Sequence, residues 1–215
     1  MPALRPVARA LALGLACLLL SPRASAESAA ERVDRYLAAV ETLRGSFEQE
    51  IVDATGTVRE VATGTLAIGK PGRFRWDYLS PSPQLLVSDG QTIWLYDEEL
   101  EQVTVREAGD TLTATPASLL SGRDKASDRF TVTAGEPRDG LEWVNLAPRL
   151  EDTDFREVRL GFRGDSLRRM ELEDRLGQTT RITFSDLQRN VELPPGLFDF
   201  EPPPGVDVVG SAGGG

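Results

Sequence analysis

From Gly45 to Arg189 the chain reads as short runs rich in β-branched and aromatic residues, alternating apolar and polar positions with a period of two. The runs fall at 45–53, 57–69, 73–79, 83–88, 91–97 and 101–106, then at 129–134, 141–147, 155–163, 166–174 and 178–189. A period of two is the signature of a strand with one face buried and one exposed. The connectors "DATG", "GKPG", "SPSP", "SDGQ" and "DEEL" suit hairpins, and Asp89-Gly90 is the strongest of these signals. Consecutive hairpins require an antiparallel meander. A single sheet of about eleven twisted strands curls on itself, giving an apolar concave face and a polar convex one. The fold class expected is therefore mainly β with α.

Two segments break the period. Residues 28–44, "SAAERVDRYLAAVETLR", place Val33, Leu37, Val40 and Arg44 near one stripe with Tyr36 and Leu43 beside it, and Ser28 with Glu31 forms a capping box. In "TPASLLSGR", Pro116 suits a first helical turn and Gly122 a C-terminal cap, which predicts a short helix over 116–121. These helices are the natural covers for the open side of the sheet. The closing stretch "FDFEPPPGVDVVGSAGGG" contains three prolines that exclude a central strand, and it ends in glycines expected to be flexible.

Residues 1–26 read as an export signal, with Arg5 and Arg9 before an apolar run from Ala10 to Leu20 and Ala24-Ser25-Ala26 as a cleavage site. The domain expected after cleavage spans 27–208, followed by a flexible tail at 209–215. That apolar run is too short to span a bilayer. Cys17 sits where a lipid anchor could attach, but Gly14 stands three residues before it and Leu18-Leu19-Leu20 continues the apolar run, a context that argues against lipidation.

Loss of residues 1–26 removes three arginines and no acid, so the net charge falls from −10 to −13. Such a charge repels phosphate backbones, and no nucleic-acid partner is expected. The chain has no histidine and its one cysteine is Cys17, which excludes Ser-His-Asp and Cys-His catalysis and ordinary zinc sites. No metal, cofactor or catalytic residue is expected. A carboxylate pair drawn from Glu151, Asp152 and Asp154 or from Asp97-Glu98-Glu99 is the remaining enzymatic option, and solvated loop acids account for both clusters.

Apolar residues therefore carry the informative surface. The stretch Phe74 to Asp97 holds Phe74, Trp76, Tyr78, Trp94 and Tyr96, five of the fourteen aromatics in the chain. Alternation in "RFRWDYL" puts Phe74, Trp76 and Tyr78 on one face, taken as concave. Such a face is more often plain core than a ligand pocket. Trp76 and Trp94, however, are bulky for a core closed by only two short helices, and aromatic-lined cavities are a common way for curved sheets to hold lipid.

The block Lys70-Pro71, Phe74-x-Trp76, Pro83, Leu86-Val87-Ser88-Asp89-Gly90, Trp94-x-Tyr96-Asp97 and Gln102-Val103 resembles the outer-membrane lipoprotein carrier family, LolA. Gly45-Ser46-Phe47-x-Gln49, Thr115 to Leu120, and Phe198-x-Phe200-x-Pro202-Pro203-x-Gly205-Val206-Asp207 extend the likeness over nearly all of the chain after residue 26. The resemblance implies an incomplete, unclosed β-barrel under a helical lid. It implies a monomeric, non-enzymatic periplasmic chaperone that takes triacylated lipoproteins from an inner-membrane ABC transporter and delivers them to an outer-membrane receptor. It further implies a lipid-binding cavity lined by Phe47, Leu66, Phe74, Trp76, Leu86, Trp94, Leu119 and Leu120. Lys70 occupies the place of a family arginine and is expected to latch the lid by donating to carbonyls at the end of the 116–121 helix. The alternatives are a receptor of the related LolB type, which requires lipidated Cys17, and a carrier of another periplasmic lipid.

Overall fold

A computed structural model describes residues 27–108, 116–122, 124–150 and 153–210. The export signal expected over 1–26 and residues 211–215 lie outside them. The order of elements is α1 (Ala29–Ala39), β1 (Thr42–Val52), β2 (Val58–Gly69), β3 (Arg73–Ser80), β4 (Gln84–Asp89), β5 (Thr92–Asp97), β6 (Gln102–Glu107), α2 (Pro116–Ser121), α3 (Ala126–Arg129), β7 (Phe130–Ala134), β8 (Glu142–Pro148), β9 (Phe155–Arg163), β10 (Ser166–Asp174), β11 (Thr179–Arg189) and β12 (Asp207–Gly210). All twelve strands form one curved, unclosed sheet in the order β12-β6-β5-β4-β3-β2-β1-β11-β10-β9-β8-β7. Every pairing is antiparallel except β12 with β6. Among the described residues no helix is long and apolar enough to cross a membrane.

The topology explains the lid. Strands β6 and β7 follow one another in sequence but occupy opposite ends of the β1–β11 meander, and α2 and α3, which lie between them in the chain, pack over the open side. α1 joins them there: Val33, Tyr36 and Leu37 pack into the same core as Leu120 and the concave residues Phe47, Trp76, Leu160 and Phe184. The Ser28 hydroxyl accepts from Glu31 N–H at 3.2 Å while the Glu31 carboxylate accepts from Ser28 N–H at 2.9 Å, the reciprocal box the sequence predicts.

Two glycines set local geometry. Gly90 adopts φ of 99° in the turn between β4 and β5, where a residue with a Cβ is strained. Gly64 faces Phe47 across the β1–β2 pair, and a Cβ there would lie 2.0 Å from the Asp77 carbonyl oxygen and 2.7 Å from the Phe47 ring. The aromatic ring can reach the concave centre because its neighbour has no side chain.

Three differences from the sequence reading have physical causes. The helix expected over 28–44 ends at Ala39, and Thr42 to Arg44 are already in β1, with Leu43 and Arg44 paired to both β2 and β11. Ladder hydrogen bonds on two sides outweigh continuation of the helical stripe, while Val40 and Leu43 stay buried either way. The chain also carries a twelfth strand: Val209 and Gly210, expected in the tail, complete β12 at the sheet edge, beyond the prolines that bar a central position. Third, α3 is a single turn, too short to leave a periodic trace.

The convex face divides in two. Over β9, β10, β11 and β1 it carries a cross-strand ladder of alternating charge, with Arg159 3.5 Å and Arg181 3.6 Å from Glu171, and Arg181 2.8 Å from Glu50. Over β4 to β6 it is apolar, with Leu85, Val87 and Val103 buried. Phe198 is buried on the C-terminal segment, and Phe200 packs on Trp94 and Tyr96 with ring centroids 6.2 and 6.0 Å apart.

Candidate functional site

At the centre of the concave face an aromatic belt is assembled from three strands. Phe47 of β1 lies 4.9 Å from Trp76 and 5.2 Å from Tyr78, both of β3, and Trp76 lies 6.4 Å from Phe184 of β11. Alternation along β3 turns Phe74, Trp76 and Tyr78 to this side as the sequence requires, and Arg75 pairs with Asp77 on the other. Burial pushes the Tyr78 phenol up to about 12, and its hydroxyl donates to Gln49 Oε1 at 3.1 Å.

Beside this belt, over β3 to β6, the concave face holds a cavity of about 370 Å³. Ala62, Phe74, Tyr78, Leu86, Ile93 and Leu95 form its apolar wall, and Gln49, Glu60, Gln84, Thr104 and Arg106 supply polar groups. The volume falls in the range of pockets that take small ligands, roughly 300–1,000 Å³.

The eight residues expected to line a lipid cavity divide three ways. Phe74 and Leu86 line the cavity. Phe47, Leu66, Trp76, Leu119 and Leu120 are concave or lid residues, but they are packed against one another and do not line that space. Trp94 is a correction: register pairs it with Val87, which faces convex, and its ring meets Phe200 on the outside of the sheet. Ile93 and Leu95, its neighbours, take the cavity positions. In "TIWLYD" both alternating sets are apolar, so period alone does not assign the inner face. The signal that does is the partner strand, since Trp76 pairs with Leu86 and Leu86 with Leu95.

The β2–β3 hairpin ties down the lid. Lys70 Nζ donates to the Leu37 carbonyl oxygen in the last turn of α1, and Gly72 N–H donates to the Ser121 carbonyl at the end of α2 at 2.9 Å. The partner expected for Lys70 is the 116–121 helix. The structure gives that contact to the Gly72 backbone and sends the lysine to α1. A cation at the C-terminal end of a helix also meets the negative end of its dipole. Burial lowers the Lys70 pKa, and the nearby Glu41 carboxylate opposes the shift.

Of the carboxylates considered for catalysis, Asp97 is held by its own turn and a neighbouring strand. Asp97 accepts from Gln84 Nε2 at 2.7 Å and from the Glu99 and Leu100 N–H groups of its own turn. Glu151 and Asp152 lie outside the described residues.

Residues 38–201 match the family described as outer membrane lipoprotein carrier protein LolA. The outer-membrane lipoprotein carrier protein of Dechloromonas aromatica (strain RCB) is 42% identical over 198 residues, covering 92% of this chain and 95% of the relative. That of Bordetella pertussis is 40% identical over 206 residues, covering 96% and 98%. Among solved structures, an uncharacterized conserved protein from Thermus thermophilus shares the fold, with a TM-score of 0.53 and 14% identity over 83% of this chain and 94% of the other.

Proposed function

The chain belongs to the outer-membrane lipoprotein carrier family, and on that footing we propose that it is a periplasmic chaperone which carries the acyl chains of lipoproteins through water. It accepts triacylated lipoproteins from an inner-membrane ABC transporter and surrenders them to an outer-membrane receptor. It does so as a monomer, after loss of residues 1–26, and without catalysis.

The observation that carries this reading is the apolar cavity of about 370 Å³, walled by Phe74, Tyr78, Leu86, Ile93 and Leu95, adjoining a core that two tethered helices close. An acyl chain gains about 0.8 kcal/mol for each CH₂ taken out of water, on the order of 10 kcal/mol for a long chain. Transit across an aqueous space therefore needs a container. Release needs that container to hold less tightly than the receptor does. The belt Phe47–Trp76–Phe184 and the lid residues Leu37 and Leu120 fill each other's space in the closed form, so deeper entry of acyl chains must part the helices from the sheet. The cost of opening subtracts from lipid affinity and keeps the exchange reversible.

The test is release of newly made lipoproteins from spheroplasts by the purified mature chain, followed by intact-mass analysis of the protein isolated from its native source. Soluble one-to-one complexes and an N-terminus at Glu27 without an acyl adduct support the reading. Absence of release overturns it, and an acylated Cys17 would assign the chain to the anchored receptor type instead.

A further inference from the structure

Among the described residues, three buried side-chain nitrogen atoms lack a hydrogen-bond partner: Trp76 Nε1, Arg169 Nε and Arg181 Nε. The arginines engage other nitrogens of the same guanidinium, Arg169 with Asp139 at 2.9 Å and Arg181 with Glu50 at 2.8 Å. An indole has one polar atom, so Trp76 is left with none of its hydrogen-bonding capacity used. Burying a donor without an acceptor is unfavourable, and buried tryptophans ordinarily find one. Unmet groups of this kind are few in native structures, and each calls for a physical reason.

The position of this donor supplies one. Trp76 is 1% exposed and stands on the concave face of β3 between Phe74 and Tyr78, both of which line the cavity. Across the strand pair it faces Leu86, a third cavity residue. The neighbouring rings, Phe47 at 4.9 Å and Phe184 at 6.4 Å, offer no oxygen. The closest polar residue on its own strand face is Tyr78, whose hydroxyl is engaged with Gln49.

We propose that the Trp76 indole N–H is a binding group for the carbonyl oxygen of an ester- or amide-linked acyl chain, so that the site selects acyl chains over hydrocarbon of the same length. The inference rests on the carrier reading and adds to it the chemical class that the cavity distinguishes. Apolar burial is non-directional and cannot fix how far a chain enters. A single donor set among aromatic rings can, because the carbonyl is the one acceptor at the head of the chain. In the closed form the indole lies behind the cavity wall and does not line the space, so a carbonyl reaches it on the deeper entry that parts the helices from the sheet.

Ester- and ether-linked lysophospholipids with the same sixteen-carbon chain and the same choline headgroup differ in this carbonyl, and they test the idea on the mature chain. Titration of both into wild type and Trp76→Phe is expected to show the ester bound about tenfold more tightly by wild type, and that preference lost in the variant. In wild type labelled with ¹⁵N at the indole, the Nε1–H resonance should move downfield with the ester and not with the ether, a readout that stands even where the variant does not fold. Equal affinity of wild type for both lipids, or an indole signal indifferent to the ester, overturns the inference and leaves the carrier reading intact. Failure of wild type to bind either lipid overturns the carrier reading itself and this inference with it.

Discussion

The Lys70 ammonium, at the tip of the β2–β3 hairpin, donates to the carbonyl oxygen of Leu37 in the last turn of α1, thirty-three residues earlier in the chain. Two residues on, Gly72 N–H holds Ser121 of α2, so one hairpin tethers α1 and α2 together. The first contact depends on a side chain and the second on backbone alone. Substitution can therefore release α1 while sparing α2.

Lys70→Met should raise amide hydrogen exchange across α1 several-fold, with α2 less affected, because the variant removes a half-buried charge-assisted hydrogen bond worth about 1.5–3 kcal/mol. Uptake of lipoprotein is expected to continue and transfer to the receptor to fall, since a lid that no longer closes competes less well with bound lipid. Lys70→Arg keeps a donor and should behave close to wild type. Equal loss of uptake and transfer in Lys70→Met would remove the latch role.

Ile93 and Trp94 are adjacent in sequence and lie on opposite faces of the sheet, which makes them a paired test of the cavity. Ile93→Glu should leave a folded protein that no longer solubilises lipoprotein from spheroplasts, because the cavity wall acquires a charge that opposes acyl burial. Undiminished release by this variant would exclude the cavity as the acyl site.

Trp94→Ala is expected to do the reverse. The ring packs outside the sheet against Phe200, so its loss should lower stability by about 1–3 kcal/mol in urea unfolding while lipoprotein release persists. A selective loss of release with unchanged stability would place Trp94 in the binding machinery after all.

Alkaline pH should weaken the fold through two phenols. Burial pushes Tyr36 up to about 12, opposed by the nearby Arg189, and pushes Tyr78 up to about 12 as well. In the unfolded chain each deprotonates near 10, so between pH 10 and 12 the folded state binds more protons than the unfolded one. Stability contributed by the two groups is complete below pH 10 and is lost as pH rises toward 12, by about 2–3 kcal/mol each. Tyr78→Phe should flatten that decline in urea midpoints measured across the window. An unchanged slope would mean that the phenol is not shielded from water.

Much of the architecture was legible from period and turn chemistry. Eleven strands, the capping box of Ser28 and Glu31, and the helix at 116–121 lie within a few residues of where alternation, Asp-Gly turns and Pro/Gly punctuation put them. These are local properties: a hairpin closes between near neighbours, and a helix cap acts over three residues. The family was legible for a related reason, since its motifs follow the same strands in order.

The site was only partly legible. Alternation fixes that Phe74, Trp76 and Tyr78 share a face, and separately that Ile93 and Leu95 share one, but it carries no label for which face is inner when both are apolar. The C-terminal segment makes both apolar, by laying Phe200 over Trp94 and Tyr96 on the outside of β5 from a distant part of the chain.

Sequence alone determined that this chain is a curved antiparallel sheet with a short helical cover, because backbone pairing and side-chain period act between neighbours. Only tertiary structure decided that Trp94 looks outward, that Lys70 holds α1, that Trp76 keeps an unmet donor, and that open space remains over β3 to β6. Each of these depends on residues distant in the chain meeting across the sheet, where volume and hydrogen-bonding capacity are matched in three dimensions.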